Sequence, residues 1–241
     1  MGSPPSFQVI GDDMQAVEID LAPGQAVIAE AGTLILLEEG ITYQALMADG
    51  SEPAGQGLLG SLKGAAKRMG SQAGLFLTHF TNLTQNSRKV VFGASNPGKL
   101  VPVELPSWGG QILCAASSFV CAEMGTKLDA ALVKKPTVGF YGGYGFILQK
   151  ISGDGLVFLH ATGSLLRREL KGESLRIEPG ALVAFSADLD YSIERAGDLK
   201  TMLFGGEGLF LVTLRGHGSV LINSLPWHRV VHQILEQVPR Q

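Results

Sequence analysis

From Ala16 to Leu21 the chain reads AVEIDL, apolar and acidic residues alternating at period two. That is the mark of a strand with one face on a core and the other in water. Pro23-Gly24 follows and predicts a turn, because proline presets φ and glycine accepts positive φ. Ala26–Ala29 (AVIA) reads as the returning strand. The unit recurs as VELPSWGGQILCA around Gly109-Gly110, and as LRIEPGALVAF around Pro179-Gly180, so Gly24, Gly110 and Gly180 are expected to correspond.

A second pattern keeps the same rhythm. Aligned on Gly74, Gly145 and Gly208, the chain gives GLFLTHFTN, GFILQKISG and GLFLVTLRG. Phe80, Ile151 and Leu214 then share a strand position and are expected to point at a common interior. The next strands match as well, Val90 to Phe92, Val157 to Leu159 and Val220 to Ile222. Between them stand Gly153-Asp154-Gly155 and Gly216-His217-Gly218, read as tight turns, while the first copy has a longer loop from Asn82 to Arg88. The glycines Gly205, Gly206 and Gly208, which open the stretch Leu203 to Leu225, read as places where backbones approach closely.

Two patterns recurring in one order predict an all-β domain of three tandem sandwich-like units, about residues 12–95, 96–162 and 163–225, around a pseudo-threefold axis. The first dozen residues read as a loosely held lead-in. Two stretches break the β pattern. Residues 55–73 space Leu58, Leu59, Leu62, Ala66 and Met69 as a helix would, with Lys63, Lys67 and Arg68 on the remaining surface. That reads as a surface helix or mobile loop closing the sheet's end, or as a basic amphipathic helix touching a membrane surface or a partner. Residues 226–238 predict a helix entered at Pro226, with Val230, Val231, Ile234 and Leu235 packed on the β body.

Composition adds constraints. Hydrophobic residues are 45% and charged residues 17%, enough for an extended core, and 32 glycines among aliphatic residues suit many short strands. A net charge of −3 argues against nucleic acid as partner. Two cysteines form no disulfide framework, and the start lacks a signal peptide's charge and apolar blocks. No apolar run is long enough to cross a bilayer. A cytoplasmic location is the expectation.

Candidate chemistry is sparse. His228 and His232 stand four apart on the tail helix, but no third ligand is placed by spacing, and His79, His160 and His217 fall at unrelated positions. Cys114 and Cys121 are seven apart, on opposite faces if on one strand, and read as core thiols. Ser117-Ser118 lacks a nucleophile elbow. Gly142-Gly143-Tyr144-Gly145 and Gly205-Gly206-Glu207-Gly208 lack a P-loop lysine and a following helix. Asp154 and Glu207 are single turn carboxylates. No metal, cofactor or catalytic group is expected. The structural glycines Gly24, Gly74, Gly110, Gly145, Gly153, Gly155, Gly180, Gly205, Gly206, Gly208, Gly216 and Gly218 are the positions singled out.

The segments FYGGYGFILQKISGDGLVFLHATGSLLRREL and FGGEGLFLVTLRGHGSVLINSLP resemble a bacterial family of uncharacterised proteins. That family is related to the fungal mitochondrial biogenesis protein named for altered inheritance of mitochondria. The resemblance runs from about Met14 to His232 and departs at Asn223, where the family usually has Gln. It implies units like the tryptophan RNA-binding attenuation protein, three in one chain, and brings no catalytic residues. The expected function is a non-enzymatic β scaffold working through self-association or a protein partner. The alternative is a module binding a small molecule or a lipid surface.

Overall fold

The computed structural model describes residues 4–47, 76–131, 147–195 and 210–238, and these fold into seventeen strands, one α-helix and three short 3-10 helices. The first sheet has the order β1 (Ser6–Ile10), β2 (Ala16–Leu21), β7 (Arg88–Gly93), β4 (Leu34–Leu37). The second runs β5 (Ile41–Met47), β6 (Phe76–Asn82), β3 (Ala26–Ala29), β10 (Phe119–Glu123), β13 (Leu156–Thr162), β8 (Gly98–Glu104). The third runs β11 (Lys127–Ala131), β12 (Leu148–Ser152), β9 (Gln111–Ala115), β15 (Leu182–Ser186), β17 (Phe210–Asn223), β14 (Leu165–Ile177), and β16 (Asp190–Arg195) also pairs with β17. Among the described residues all strand pairs are antiparallel.

Alternation places the core. On β2, Val17, Ile19 and Leu21 are buried while Glu18 and Asp20 face outward. They join Val27, Phe80, Val90 and Phe92 in one apolar cluster, which Val120, Cys121 and Phe158 complete. A second cluster gathers Val103, Leu105, Ile112, Cys114 and Ile151, and takes in Val183, Ala184 and Leu221 from later in the chain. A third holds Leu170, Ile177, Leu182, Phe185, Val212 and Leu214, and takes no fully buried residue from before Leu148. Phe80, Ile151 and Leu214 therefore serve three separate cores, not the common interior their spacing suggested. Each stands mid-strand between two partners: Phe80 between Tyr43 and Val27, Ile151 between Leu128 and Ile112, Leu214 between Tyr191 and Leu175.

Several expectations are corrected. Ser6–Ile10 is not a loose lead-in but strand β1, in register with Ala16 to Asp20 of β2, with Phe7 edge-on against Phe158 at 4.9 Å between ring centroids. The Pro23-Gly24 turn exists, with Gly24 at φ 78°, yet β3 does not return along β2. The turn carries the chain from the first sheet to the second, as the Gly153–Gly155 bend carries it between β12 and β13. Gly216-His217-Gly218 is not a turn: β17 runs through it as one strand of 14 residues. Its first half pairs with β16 and its second with β15, so the glycines mark where one strand passes from one set of neighbours to another.

The helix α1 (Trp227–Gln237) lies where expected, but only its beginning rests on the body. Trp227, His228, Val230 and Val231 are half-buried, whereas Ile234, Leu235 and the following Val238 are exposed. Glu178 anchors the start, bonding Arg229 and lying 2.9 Å from His228 Nε2. The helical reading of residues 55–73 lies outside the described residues. No described helix is long and apolar enough to cross a membrane.

Candidate functional site

The two thiols are buried and held protonated. Cys114 lies on β9 and Cys121 on β10, in different sheets and different cores, so the one-strand geometry does not apply. Both are fully buried; burial, aided by Glu30, pushes the Cys114 thiol up to about 12, and burial raises Cys121 well above its ordinary value. A nucleophile needs the opposite shift. The histidines stay scattered: His160 is buried beside Gly98, His217 is exposed on β17, and His232 sits 3.6 Å from Glu236 on α1. Burial lowers the imidazoles of His79 and His160. Among the described residues no three His, Cys, Asp or Glu side chains converge on a metal position.

The singled-out glycines divide. Gly110, Gly153 and Gly155 meet at one joint: Gly153 N–H donates to Gly110 O at 3.0 Å, Gly110 N–H to Leu105 O at 2.8 Å, and Leu105 N–H to Gly155 O at 3.1 Å. Gly180 lies under the His228 ring, and Gly24 stands at an open turn. Gly180 heads β15, which pairs within its sheet differently from β3 and β9, so it does not correspond to Gly24 and Gly110. Gly74, Gly145, Gly205, Gly206 and Gly208 lie outside the described residues.

The feature that stands out was not singled out by motif reading. Strand β4, Leu-Ile-Leu-Leu, is the edge of the first sheet, and Leu34, Ile35 and Leu36 are all exposed, Ile35 at 63% and Leu36 at 48%. β4 pairs with β7 across a one-residue bulge at Ile35 (Leu34↔Phe92, Leu36↔Val91). The same bulge occurs in β10 at Val120 (Phe119↔Leu159, Cys121↔Phe158) and in β15 at Val183 (Leu182↔Ile222, Ala184↔Leu221). There the resemblance stops. The outer edge of β10 pairs with β3 and that of β15 with β9, which buries Val120, Cys121, Val183 and Ala184 completely. Among the described residues the outer edge of β4 pairs with nothing. The available signal was the unbroken apolar run Leu34 to Leu37 between Thr33 and Glu38, though such a run does not say whether a strand is central or at an edge.

An exposed, uncharged apolar edge strand is a template for pairing with another chain, and proteins usually blunt it. Here charge appears only beyond the strand, at Glu38 and Glu39. The arrangement can hold a strand.

The model of the mitochondrial biogenesis AIM24 family matches residues 7–225. The chain belongs to the AIM24 family. It is 28% identical over 210 residues to an uncharacterised protein of Streptococcus pyogenes serotype M6, spanning 87% of this chain and 81% of that one. The crystal structure of a Streptococcus pyogenes protein shares the fold, with TM-score 0.77 and 22% identity over 97% of this chain and 100% of the other.

Proposed function

We propose that this AIM24-family chain is a non-enzymatic β scaffold that works in the cytoplasm through protein–protein contact, with β4 as its contact edge. The observation that carries the reading is the exposure of Leu34, Ile35 and Leu36 on an unblunted strand edge. The buried, proton-holding thiols support it by leaving no activated nucleophile at either cysteine. The scaffold is read as three tandem units, comparable in layout to the attenuation protein's sandwiches. The recurrence of one bulged pairing at β4, β10 and β15 supports that reading. The test compares the tagged wild-type chain with its Leu36→Lys variant by light scattering after size exclusion. Wild type in an assembly and the variant alone are expected; both eluting at monomer mass would remove the scaffold reading.

A second reading has its own observation. The apolar residues Ile234, Leu235 and Val238 at the end of α1 are exposed, which suits a lipid surface. Sedimentation with anionic vesicles tests it, and an Ile234→Asp variant that still binds would rule out this face.

A further inference from the structure

We infer that Glu30 and Gly32 form a docking site for the first turn of a partner protein's amphipathic helix, one that brings a basic side chain to the Glu30 carboxylate. This site goes beyond the scaffold reading and does not need the β4 edge to be paired. Its template lies within the chain. The bulges at Ile35, Val120 and Val183 align the stretches leading into β4, β10 and β15. Counted back from each bulge, Glu30, Ala115 and Glu178 share one place, and Gly32, Ser117 and Gly180 share another. Glu30-Ala31-Gly32 and Glu178-Pro179-Gly180 are therefore the same Glu-x-Gly step. Each is closed by the same bond: Thr33 N–H donates to Glu30 O at 3.4 Å, and Ala181 N–H to Glu178 O at 2.9 Å.

At Glu178 the step holds a helix. Glu178 Oε1 lies 2.9 Å from His228 Nε2, and Glu178 Oε2 accepts from Arg229. A Cβ on Gly180 would lie 2.5 Å from His228 Nδ1, so the glycine is what lets the imidazole rest against the backbone. The carboxylate also stands at the positive end of α1, which favours an anion beside the helix start. These contacts anchor α1 although no residue of that helix is fully buried. In the middle stretch the step is erased, because Ala115 replaces the carboxylate and is buried.

At Glu30 the step is intact and no described helix covers it. Among the described residues no cation pairs with Glu30. A Cβ on Gly32 would meet nothing within 4 Å, and Ala31 and Gly32 are exposed. The Glu30 side chain is half-buried, and burial pushes its carboxyl up to about 7. A carboxylate drawn out of water is stabilised by a cation laid against it. Where β17 runs on into α1, β7 runs through Ala94–Pro97 into β8, so the described chain supplies no helix of its own at this place. Leu34 and Ile35, exposed just beyond Gly32, offer apolar surface to the arriving helix. The fitting partner thus opens a helix on an arginine or a His-Arg pair, with aliphatic residues following as Val230 and Val231 do in α1.

The test uses the full chain and a fluorescently labelled synthetic peptide of residues 225–238, which carries the Trp227-His228-Arg229 start. At about pH 8, where the Glu30 carboxyl is ionised, saturable binding is expected by fluorescence anisotropy. Glu30→Gln in the chain should weaken it about 10-fold or more, the loss of one charge-assisted hydrogen bond, and Arg229→Gln in the peptide should do the same. Both changes together should lose little beyond either alone, because they remove one contact. Melting curves show that the Glu30→Gln chain is folded. Binding that survives Glu30→Gln, or that falls with Glu178→Gln instead, overturns the proposal, as does no saturation at millimolar peptide. A mass in light scattering that drops with Glu30→Gln gives the site to α1 of another copy, and peptide binding gained only with Lys67→Gln and Arg68→Gln gives it to a segment of the same chain. Either result overturns the assignment to a partner. A monomer that binds the peptide keeps this site while the scaffold reading falls, and an assembly that does not bind it leaves the scaffold reading standing while this site falls.

Discussion

Strands β4 and β10 have the same length class, the same bulge and the same relation to their hairpin-distant partner, yet one is exposed and the other is buried. Local sequence does not explain the difference, since Leu-Ile-Leu-Leu is more apolar than Phe-Val-Cys-Ala-Glu. What differs is the outer neighbour: β10 pairs with β3 and β15 with β9, whereas among the described residues nothing pairs with the outer edge of β4. Burial of these strands is thus decided by the neighbouring strand rather than by residue type.

The sharpest way to break that comparison is a lysine at each bulge. Val120→Lys puts an unpaired charge into a closed core, and the chain should lose about 4 kcal/mol or more, read as failure to fold or a collapse in denaturant midpoint. Ile35→Lys at the corresponding place should change the stability of the isolated chain by no more than about 0.5 kcal/mol. Equal losses at both sites would mean that β4 is covered within a single chain.

A smaller effect is expected where β8 lies tight against β13 in the second sheet. A methyl on Gly98 would sit 2.1 Å from Ala161 O and 2.6 Å from His160 Nε2. Gly98→Ala should cost about 2–3 kcal/mol by overpacking, seen as a lower melting temperature. It would sharpen the comparison by showing that the β8–β13 edge tolerates less than β4.

Weaker still is a pH effect at the β3–β10 junction. Glu30, whose N–H donates to Val120 O, has its carboxyl raised to about 7 by burial. The folded state therefore holds a proton that the unfolded state releases near pH 4.5, and stability falls as pH rises from about 4.5 to 7. Discounted for its partial exposure, the loss is about 1–2 kcal/mol. Glu30→Gln should flatten melting temperature across that window; an unchanged slope would place the titration elsewhere.

How much of this was legible follows from what each pattern encodes. AVEIDL gave β2 residue by residue, because half-burial writes itself into alternation. The glycines marked real changes of direction at Gly24, Gly110 and Gly153, but turn chemistry carries no information about which sheet receives the next strand. Gly216-His217-Gly218 misled for a related reason: glycine relieves a bend inside a strand as well as a reversal between strands. The match of Gly180 with Gly24 failed because a short apolar strand after a glycine looks alike wherever it pairs. β4, the candidate site, was hidden because an edge is defined by a missing neighbour, and sequence records only what is present.

Strand β17 has a consequence for biosynthesis. Leu221 near its end belongs to the middle core, and Val212, Leu214 and Val220 belong to the last one. A ribosome that has delivered everything up to Arg195 has still left two cores unfinished. The nascent chain must hold that unfinished state until nearly its whole length has emerged, so a premature stop just ahead of Phe210 should yield a product for the proteases rather than a shortened protein.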